Sequence, residues 1–193
     1  MMMISKIMRY LWYEFAPLNI SRSLFWWFAI KFLPRRWPTK LHLGCGNERL
    51  DGYLNIDRTK SPATDIVYDI RKLPFRQGLF DAIESHHVIE HLGQNDFKAT
   101  LLSWRALLRE GGRMIIECPD FDQDLRDYLA GKSERLDSIF GLQRYPGDAH
   151  LFGYNFERLK SLLENCGYKD IVRLEARDYH IEFEPCLRVE CHK

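Results

Sequence analysis

The stretch LHLGCGNERLDGYLNID, residues 41–57, most constrains what this chain can fold into. It places a glycine-rich turn after one apolar strand and a carboxylate, Asp57, at the end of the next. In an open α/β sheet, a G-x-G turn after the first strand lets backbone approach a ligand where a Cβ atom would block it. Gly44 and Gly46 fit that turn, and Asp57 is placed to accept hydrogen bonds from ribose hydroxyl groups. The stretch therefore predicts a site for an adenosine-containing ligand.

The short connection between the turn and the acid narrows the choice of ligand. A dinucleotide-binding turn needs a third glycine, a full helix that faces the pyrophosphate, and an acid about 20 residues further on. Here Glu48 stands in the place of the third glycine, and at most one helical turn fits between Gly46 and Leu54. A ligand without phosphate, such as S-adenosylmethionine, makes no contact that needs this helix, so the absence of the helix affects its binding least.

Composition indicates one globular domain in a reducing compartment. The 193 residues carry a formal net charge of +1, whereas a general nucleic-acid-binding protein normally has a strong basic excess. The five cysteines include no C-x-x-C pair, so neither a disulfide framework nor a zinc ribbon is predicted. We expect a cytoplasmic protein with no nucleic-acid partner.

The first 38 residues differ from the rest. Residues 1–40 hold seven Lys or Arg against one acid, together with ten aromatic residues. The longest apolar run, residues 24–30, is far shorter than the roughly 20 residues that span a bilayer. We therefore predict an aromatic and basic helical segment at 1–38 that meets a membrane surface at the inner face, a second copy of the chain or its own domain, followed by a catalytic domain at 39–193.

From residue 39 onwards, apolar runs of strand and helix type alternate, which predicts an α/β fold with a mostly parallel sheet. Residues 121–150 are charged and irregular, with helical patches, and we expect them to lie outside the core. Asp96 is expected to cap the first long helix, and Gly111 and Gly112 are expected to end it. The predicted strands are 40–43, 53–56, 66–68, 80–85, 113–118, 171–175 and 187–191, and the predicted helices are 96–108 and 155–166.

The motifs LHLGCG, LNIDR, DIRKLPF, LFDAIESHHVIEHL and GGRMIIECP, in that order, resemble those of class I S-adenosylmethionine-dependent methyltransferases. The resemblance extends over residues 39–175. It is nearest to a bacterial subgroup with a shortened first crossover, often linked with surface-polysaccharide synthesis. It implies a Rossmann-like sheet of seven strands with helices on both faces, and S-adenosylmethionine as cofactor.

The resemblance also implies roles for individual residues. The methionine part of the cofactor would lie along Gly44, Cys45 and Gly46, and the ribose would be held at Asp57, with Arg58 next to it. Two departures concern the amino-acid end of the cofactor: His42 replaces the acid that many relatives carry, and Glu48 replaces the third glycine. The remaining implied contacts are Asp69 and Ile70 at the adenine, and Ser85 and His86 beside the sulfonium.

Methyl transfer to a hydroxyl group needs an aligned acceptor and a group that takes its proton. His150 is the first candidate for that group, followed by His86, His87 and Asp120. The pattern His87-x-x-Glu90-His91 also matches that of a class of zinc peptidases. Because no third ligand is evident in the sequence, no metal site is predicted.

We therefore expect a methyltransferase that acts on a small-molecule or glycan hydroxyl group, with a homodimer and peripheral membrane contact as further expectations. Two other functions stay open at this stage. One is a nucleotide-dependent oxidoreductase, and the other is a module that binds a cofactor or partner without catalysis.

Overall fold

The structure is a computed structural model that describes residues 38–193. Seven strands of this part form one sheet in the order β3-β2-β1-β4-β5-β7-β6, in which β7 runs antiparallel to both of its neighbours. The strands are β1 (Lys40–Leu43), β2 (Leu54–Asp57), β3 (Ile66–Val67), β4 (Phe80–His86), β5 (Leu108–Pro119), β6 (Lys169–Leu174) and β7 (Cys186–His192). The helices are α1 (Gln94–Leu107), α2 (Phe121–Leu129), α3 (Arg135–Phe140) and α4 (Phe156–Asn165), with 3-10 turns at Ile70–Lys72, Ile89–His91 and Tyr179–Glu182.

The predicted fold class, an α/β protein with a seven-stranded and mostly parallel sheet, is confirmed. Each predicted strand overlaps an observed one, and α1 and α4 lie where helices were expected. Asn155 caps α4 by accepting a hydrogen bond from Arg158 N (2.9 Å), and Gly167, with φ +85°, follows its end.

Two local predictions are wrong. The N-cap of α1 is Gly93, and Asp96 lies in the first turn of the helix. Because β5 begins at Leu108, directly after α1, the glycine pair lies inside the strand, where the register with β4 shifts and Gly111 has φ +69°. Residues 121–150 contain two short helices, α2 and α3, as the predicted helical patches, and the hydrophobic core includes none of them; the side chain of Asp124 is nevertheless buried against Ser138.

One face of the sheet is apolar and forms the core. Strand residues such as Leu43, Ile83 and Met114 pack there with Phe97, Leu101 and Trp104 of α1 and with Leu159 and Leu163 of α4. The helical residues recur at intervals of three and four, which places them along one side of each helix. The two helices thereby fix the positions of β1, β4 and β5, whose carboxyl ends carry most of the predicted site.

The strand residues that alternate with these apolar ones lie on the other face of the sheet. Several of them are polar, which is unusual for a buried face. His42, Glu84 and Glu117 are each less than 10% exposed. Arg188 on β7 lies opposite Glu117 and pairs with it, and its guanidinium also lies 3.4 Å from Glu84. A buried charge is tolerated where it is paired, so these contacts hold β7 against β5 and β4.

The predictions for the N-terminal segment fall outside the described residues. Within residues 38–193, the longest helix is too short and too polar to cross a bilayer.

The first glycine of the turn gives a test of the packing. Gly44 has φ +74°, and a Cβ atom added to it would lie 2.1 Å from Val88 Cγ2, whereas Gly52 has φ +84° with nothing within 4 Å of an added Cβ. Gly52→Ala should cost about 1–2 kcal/mol of unfolding free energy, from backbone strain alone. Gly44→Ala should cost about 1–3 kcal/mol more, because the methyl group overlaps Val88.

Chemical denaturation of the two variants, and of Gly44→Ala combined with Val88→Ala, measures these costs. The double variant should recover part of the loss. Equal destabilisation by the two alanines would contradict the described approach of Val88 to the turn.

Candidate cofactor and active site

The glycine turn after β1 is held against the end of β2. Gly44 N donates to Ile56 O (2.8 Å), and Gly46 N donates to Asp57 Oδ2 (2.9 Å). Residues 44–53 form turns without a helix, as the spacing predicts. Gly46 has φ +49° and open space where a side chain would begin. This open side and the adjoining carboxylate form a cradle that a nucleoside can enter.

Asp57 keeps capacity for further hydrogen bonds. Its Oδ1 accepts from the backbone and hydroxyl groups of Thr59, at 2.7 and 2.8 Å, and its side chain is only partly buried. A carboxylate has about four acceptor positions, so ribose hydroxyl groups can still bind it. The guanidinium of Arg58 lies near Gly147, and its contact with the cofactor stays a prediction. The residues present therefore fit an adenosine ligand.

Cys45 fits a packing role between the two glycines. Its side chain is buried and lies 3.6 Å from Thr64 Oγ1. Burial raises the pKa of the Cys45 thiol, which disfavours the reactive thiolate.

The predicted adenine contacts follow β3. Asp69 accepts from the backbone and guanidinium of Arg71, and these hydrogen bonds lower the pKa of the Asp69 carboxyl group. Ile70 O accepts from Trp104 Nε1 (2.9 Å), which ties the 3-10 turn to α1. The segment is thereby fixed at the same edge of the sheet as Asp57, and its contact with adenine stays a prediction.

Ser85 and His86 end β4 and point to opposite faces of the sheet. Ser85 is fully buried, and its hydroxyl donates to Leu43 O (3.1 Å). His86 lies between two acids, 3.4 Å from Glu84 and 3.5 Å from Asp178. Burial lowers the pKa of His86, but its contacts with these two carboxylates outweigh burial and raise the pKa overall.

In β1, His42 occupies the position at which many relatives carry an acid. His42 contacts Asn55 Oδ1 (2.9 Å) and the ring of His86, and burial lowers its pKa. Burial raises the pKa of Glu84, but contacts with His86 and Tyr53 outweigh it and lower the pKa to about 2. Glu84 therefore provides an ionised carboxylate next to His42 in this part of the sheet.

His87 is surrounded by acids. It has φ +49°, its Nδ1 lies 3.4 Å from Glu90 and 3.3 Å from Glu184, and its ring stacks on His180 at 3.7 Å. Burial lowers the pKa of His87, but its contacts with Cys186 and the two carboxylates outweigh burial and raise the pKa to about 12. A histidine that stays protonated cannot accept a proton from a substrate.

The arrangement of a zinc peptidase is not formed. It requires two histidines one helical turn apart on an α-helix. Here residues Ile89–His91 form a 3-10 turn, and the nitrogens of His87 and His91 do not come together in a common cluster.

The two remaining catalytic candidates differ in their contacts. His150 Nδ1 donates to Ser138 O (2.6 Å), and burial lowers the pKa of this histidine. Asp120 caps α2 by accepting from Gln123 N and pairs with Arg173 at 2.6 Å. Asp120 is therefore engaged in structural contacts, whereas Nε2 of His150 keeps its lone pair.

Sequence reasoning missed the residues that the β6–β7 connection contributes. Glu117 accepts hydrogen bonds from Arg177 N (3.0 Å) and Asp178 N (2.9 Å), which places this connection beside the end of β4. Asp178 thereby reaches His86 and His180. The signal in the sequence is the stretch RDYHIEFEPC, in which charged and aromatic residues are concentrated between the last two strands.

Comparisons with known proteins bear on the domain and the fold of this chain. A family model described as a methyltransferase domain matches residues 46–116. The match includes Gly46, Asp57 and His86 and ends before the segment that carries His150. Among proteins with curated functions, none matches this sequence.

Three solved structures are similar in fold. A methyltransferase from Archaeoglobus fulgidus that depends on S-adenosylmethionine (SAM) has a TM-score of 0.54 at 13% identity, over 80% of this chain and 85% of that one. A SAM-dependent methyltransferase from Methanosarcina mazei has a TM-score of 0.55 at 15% identity, over 80% and 91%. A 1,6-didemethyltoxoflavin-N1-methyltransferase from Burkholderia thailandensis, solved with S-adenosylhomocysteine, has a TM-score of 0.56 at 14% identity, over 80% and 70%.

This chain has the fold of a SAM-dependent methyltransferase. The fold and the domain match indicate S-adenosylmethionine as the cofactor. The region after residue 116, which would face the acceptor, lies outside the family match.

Asp57 provides a direct test of the ribose contact. Asp57→Ala should weaken binding of S-adenosylhomocysteine about 10- to 100-fold, because hydrogen bonds to a charged group are worth about 1.5–3 kcal/mol. Isothermal titration calorimetry measures the affinity. Asp51→Ala is the matched control, since Asp51 lies in the same connection with its side chain 83% exposed. Unchanged affinity in a folded Asp57→Ala protein would exclude the assigned role.

Proposed function

We propose that this chain transfers the methyl group of S-adenosylmethionine to a hydroxyl group on a sugar or a lipid-linked glycan in cell-surface polysaccharide synthesis. The assignment of S-adenosylmethionine as cofactor rests on one observation. The turn at Gly44–Gly46 contains no helix, and a hydrogen bond joins it to Asp57. The match of residues 46–116 to a methyltransferase domain supports the reaction type. The glycan acceptor rests on the resemblance to the bacterial subgroup.

S-adenosylmethionine supplies a methyl group on a positively charged sulfur. This chain's residues hold and orient the molecule: the glycine turn approaches its amino-acid part, Asp57 accepts from the ribose, and Asp69 with Ile70 flanks the adenine. Glu84 is the carboxylate we assign to the cofactor's ammonium group, because His42 occupies the position of the usual acid and Glu84 lies beside it in the sheet. Little further chemistry is required, since alignment supplies most of the rate.

The acceptor hydroxyl group loses a proton during transfer. We assign His150 to this step, because its Nδ1 is held by the carbonyl of Ser138 and its Nε2 carries a lone pair. His150 lines a small pocket together with Glu90, Asp124 and Tyr154. The polar side chains among its lining residues can form hydrogen bonds with a hydroxyl group.

We also propose that the protein acts in the cytoplasm, with residues 1–37 meeting the membrane surface or a second copy. The aromatic and basic composition of that segment supports this placement, because such side chains partition to the water–lipid boundary.

Transfer of a labelled methyl group tests the proposal. The full chain is incubated with labelled S-adenosylmethionine and a bacterial glycan and lipid extract, and mass spectrometry identifies the product. We expect an O-methylated sugar. Label on nitrogen or carbon, or none on any carbohydrate while S-adenosylhomocysteine still binds, would overturn the acceptor assignment.

The same assay tests His150. His150→Ala should lower the rate about a hundredfold or more, the usual contribution of a positioned proton acceptor, and leave the affinity for S-adenosylhomocysteine unchanged. His192→Gln, at the far end of β7, is the control and should keep the wild-type rate. A wild-type rate for His150→Ala would exclude the assigned role.

A further inference from the structure

Three metal-ligating side chains meet beside the pocket, outside the cofactor contacts. The ligand atoms of Glu90, His91 and His150 all lie within 4.8 Å of one another. Glu90 and His91 belong to the 3-10 turn after β4, and His150 precedes α4. Backbone hydrogen bonds hold the two segments together, since Glu90 O accepts from Leu151 N (2.7 Å) and Phe152 N (3.2 Å). The cluster is therefore fixed by the fold.

Both histidines are oriented in the way that metal ligands usually are. His91 Nδ1 lies 3.1 Å from Ala149 O, and His150 Nδ1 lies 2.6 Å from Ser138 O. A carbonyl oxygen only accepts, so each Nδ1 carries the proton and each Nε2 carries the lone pair. A backbone carbonyl on the far nitrogen is a common feature of histidines that bind metal.

Glu90 is buried without a hydrogen-bond partner. It is 2% exposed, and neither of its carboxylate oxygens has a hydrogen bond within the described residues. The nearest cationic group, His87 Nδ1, lies 3.4 Å from Oε1 without hydrogen-bond geometry, and it lies equally near Glu184 at 3.3 Å. A buried carboxylate without hydrogen bonds lowers the stability of the folded protein, so the position of Glu90 indicates a ligand.

Two further polar atoms of the same pocket are in the same condition. Asp124 Oδ1 and Tyr154 OH are buried and lack a hydrogen-bond partner among residues 38–193, although Arg135 lies 4.0 Å from Asp124 Oδ1. Both residues line the pocket together with Glu90 and His150. Unsatisfied polar atoms that converge on one pocket indicate a polar occupant.

We propose that Glu90, His91 and His150 bind a divalent transition-metal ion, zinc by preference. Two imidazole nitrogens and one carboxylate oxygen form a donor set typical of catalytic zinc sites, in which three protein ligands leave a position for water or substrate. The sequence pattern pairs His91 with His87, whereas the structure pairs it with His150. This site therefore differs from the peptidase arrangement considered above.

The two other clusters of potential ligands carry less weight, because their members already satisfy one another. Both contain His87, which lies among three carboxylates and beside Cys186. Asp178 accepts from the backbone and ring of His180. Neither cluster contains one of the fully buried carboxylate oxygens that lack a hydrogen-bond partner among the described residues.

The metal site would act on the acceptor hydroxyl group. An oxygen bound to a divalent cation loses its proton more readily, and His150 would then act through the ion rather than take the proton directly. This role rests on the proposed function, whereas the binding of metal does not. Metal binding is therefore measured without cofactor or acceptor.

Cobalt(II) chloride is the probe, because bound Co²⁺ absorbs visible light and can be displaced by zinc. The full chain is first stripped with a chelator and then titrated. We expect one equivalent to bind, with visible absorption typical of nitrogen and oxygen ligands, and zinc to displace it. Glu90→Gln, His91→Ala and His150→Ala should each weaken binding at least about tenfold.

His180→Ala is the matched control, since His180 belongs to a neighbouring cluster and should keep wild-type affinity. Circular dichroism of the stripped proteins shows whether each variant is folded, and zinc should raise the melting temperature of the wild type but not that of a folded His91→Ala. Wild-type affinity in the nearly isosteric Glu90→Gln would overturn the proposal. Loss of binding in His180→Ala with retention in His91→Ala would also overturn it.

Discussion

The hydrogen bond from Gly46 N to the carboxylate of Asp57 is the contact on which the cofactor site depends. It joins the turn after β1 to the end of β2, and it does so over a connection too short for a helix. Val88, two residues after the end of β4, approaches the turn so closely that Gly44 has no room for a side chain. Three adjacent strands thus define one cradle, and its geometry suits a nucleoside without phosphates.

A second constraint comes from the polar face of the sheet. Glu84 and Glu117 are buried charges that are stable there because Arg188 of β7 pairs with both. Glu117 also accepts hydrogen bonds from the backbone of the β6–β7 connection, and this connection places Asp178 beside His86. The antiparallel strand β7 therefore does more than complete the sheet, because its pairing partners organise the groups beside the end of β4.

Local patterns in the sequence were sufficient for much of the fold. Apolar alternation located β1, β4 and β7, the helical spacing of Phe97, Leu101 and Trp104 located α1, and the glycine turn with Asp57 located the candidate cofactor site. The boundary at Gly111 was missed because a glycine pair more often ends a helix than interrupts a strand. In this chain β5 pairs with β4 from its first residue, Leu108, and this tertiary contact decides the boundary.

The acceptor side was harder to predict because its residues come from distant parts of the chain. Sequence spacing links His87 with His91, but the positive φ of His87 and the 3-10 turn that follows separate them. His91 instead meets His150, which lies nearly sixty residues away and is positioned by backbone hydrogen bonds to Glu90. Sequence spacing cannot show a contact of this kind, and it likewise could not place Asp178 beside His86.

The helix-free turn should select a nucleoside without phosphates over a dinucleotide. Equilibrium titration of the full chain with S-adenosylhomocysteine and, separately, with NADH measures this selectivity. We expect saturable binding of S-adenosylhomocysteine with one molecule per chain and at least about hundredfold weaker binding of NADH, since the turn lacks the helix N-terminus that holds a pyrophosphate. Equal or tighter binding of NADH would show that the turn has no such selectivity.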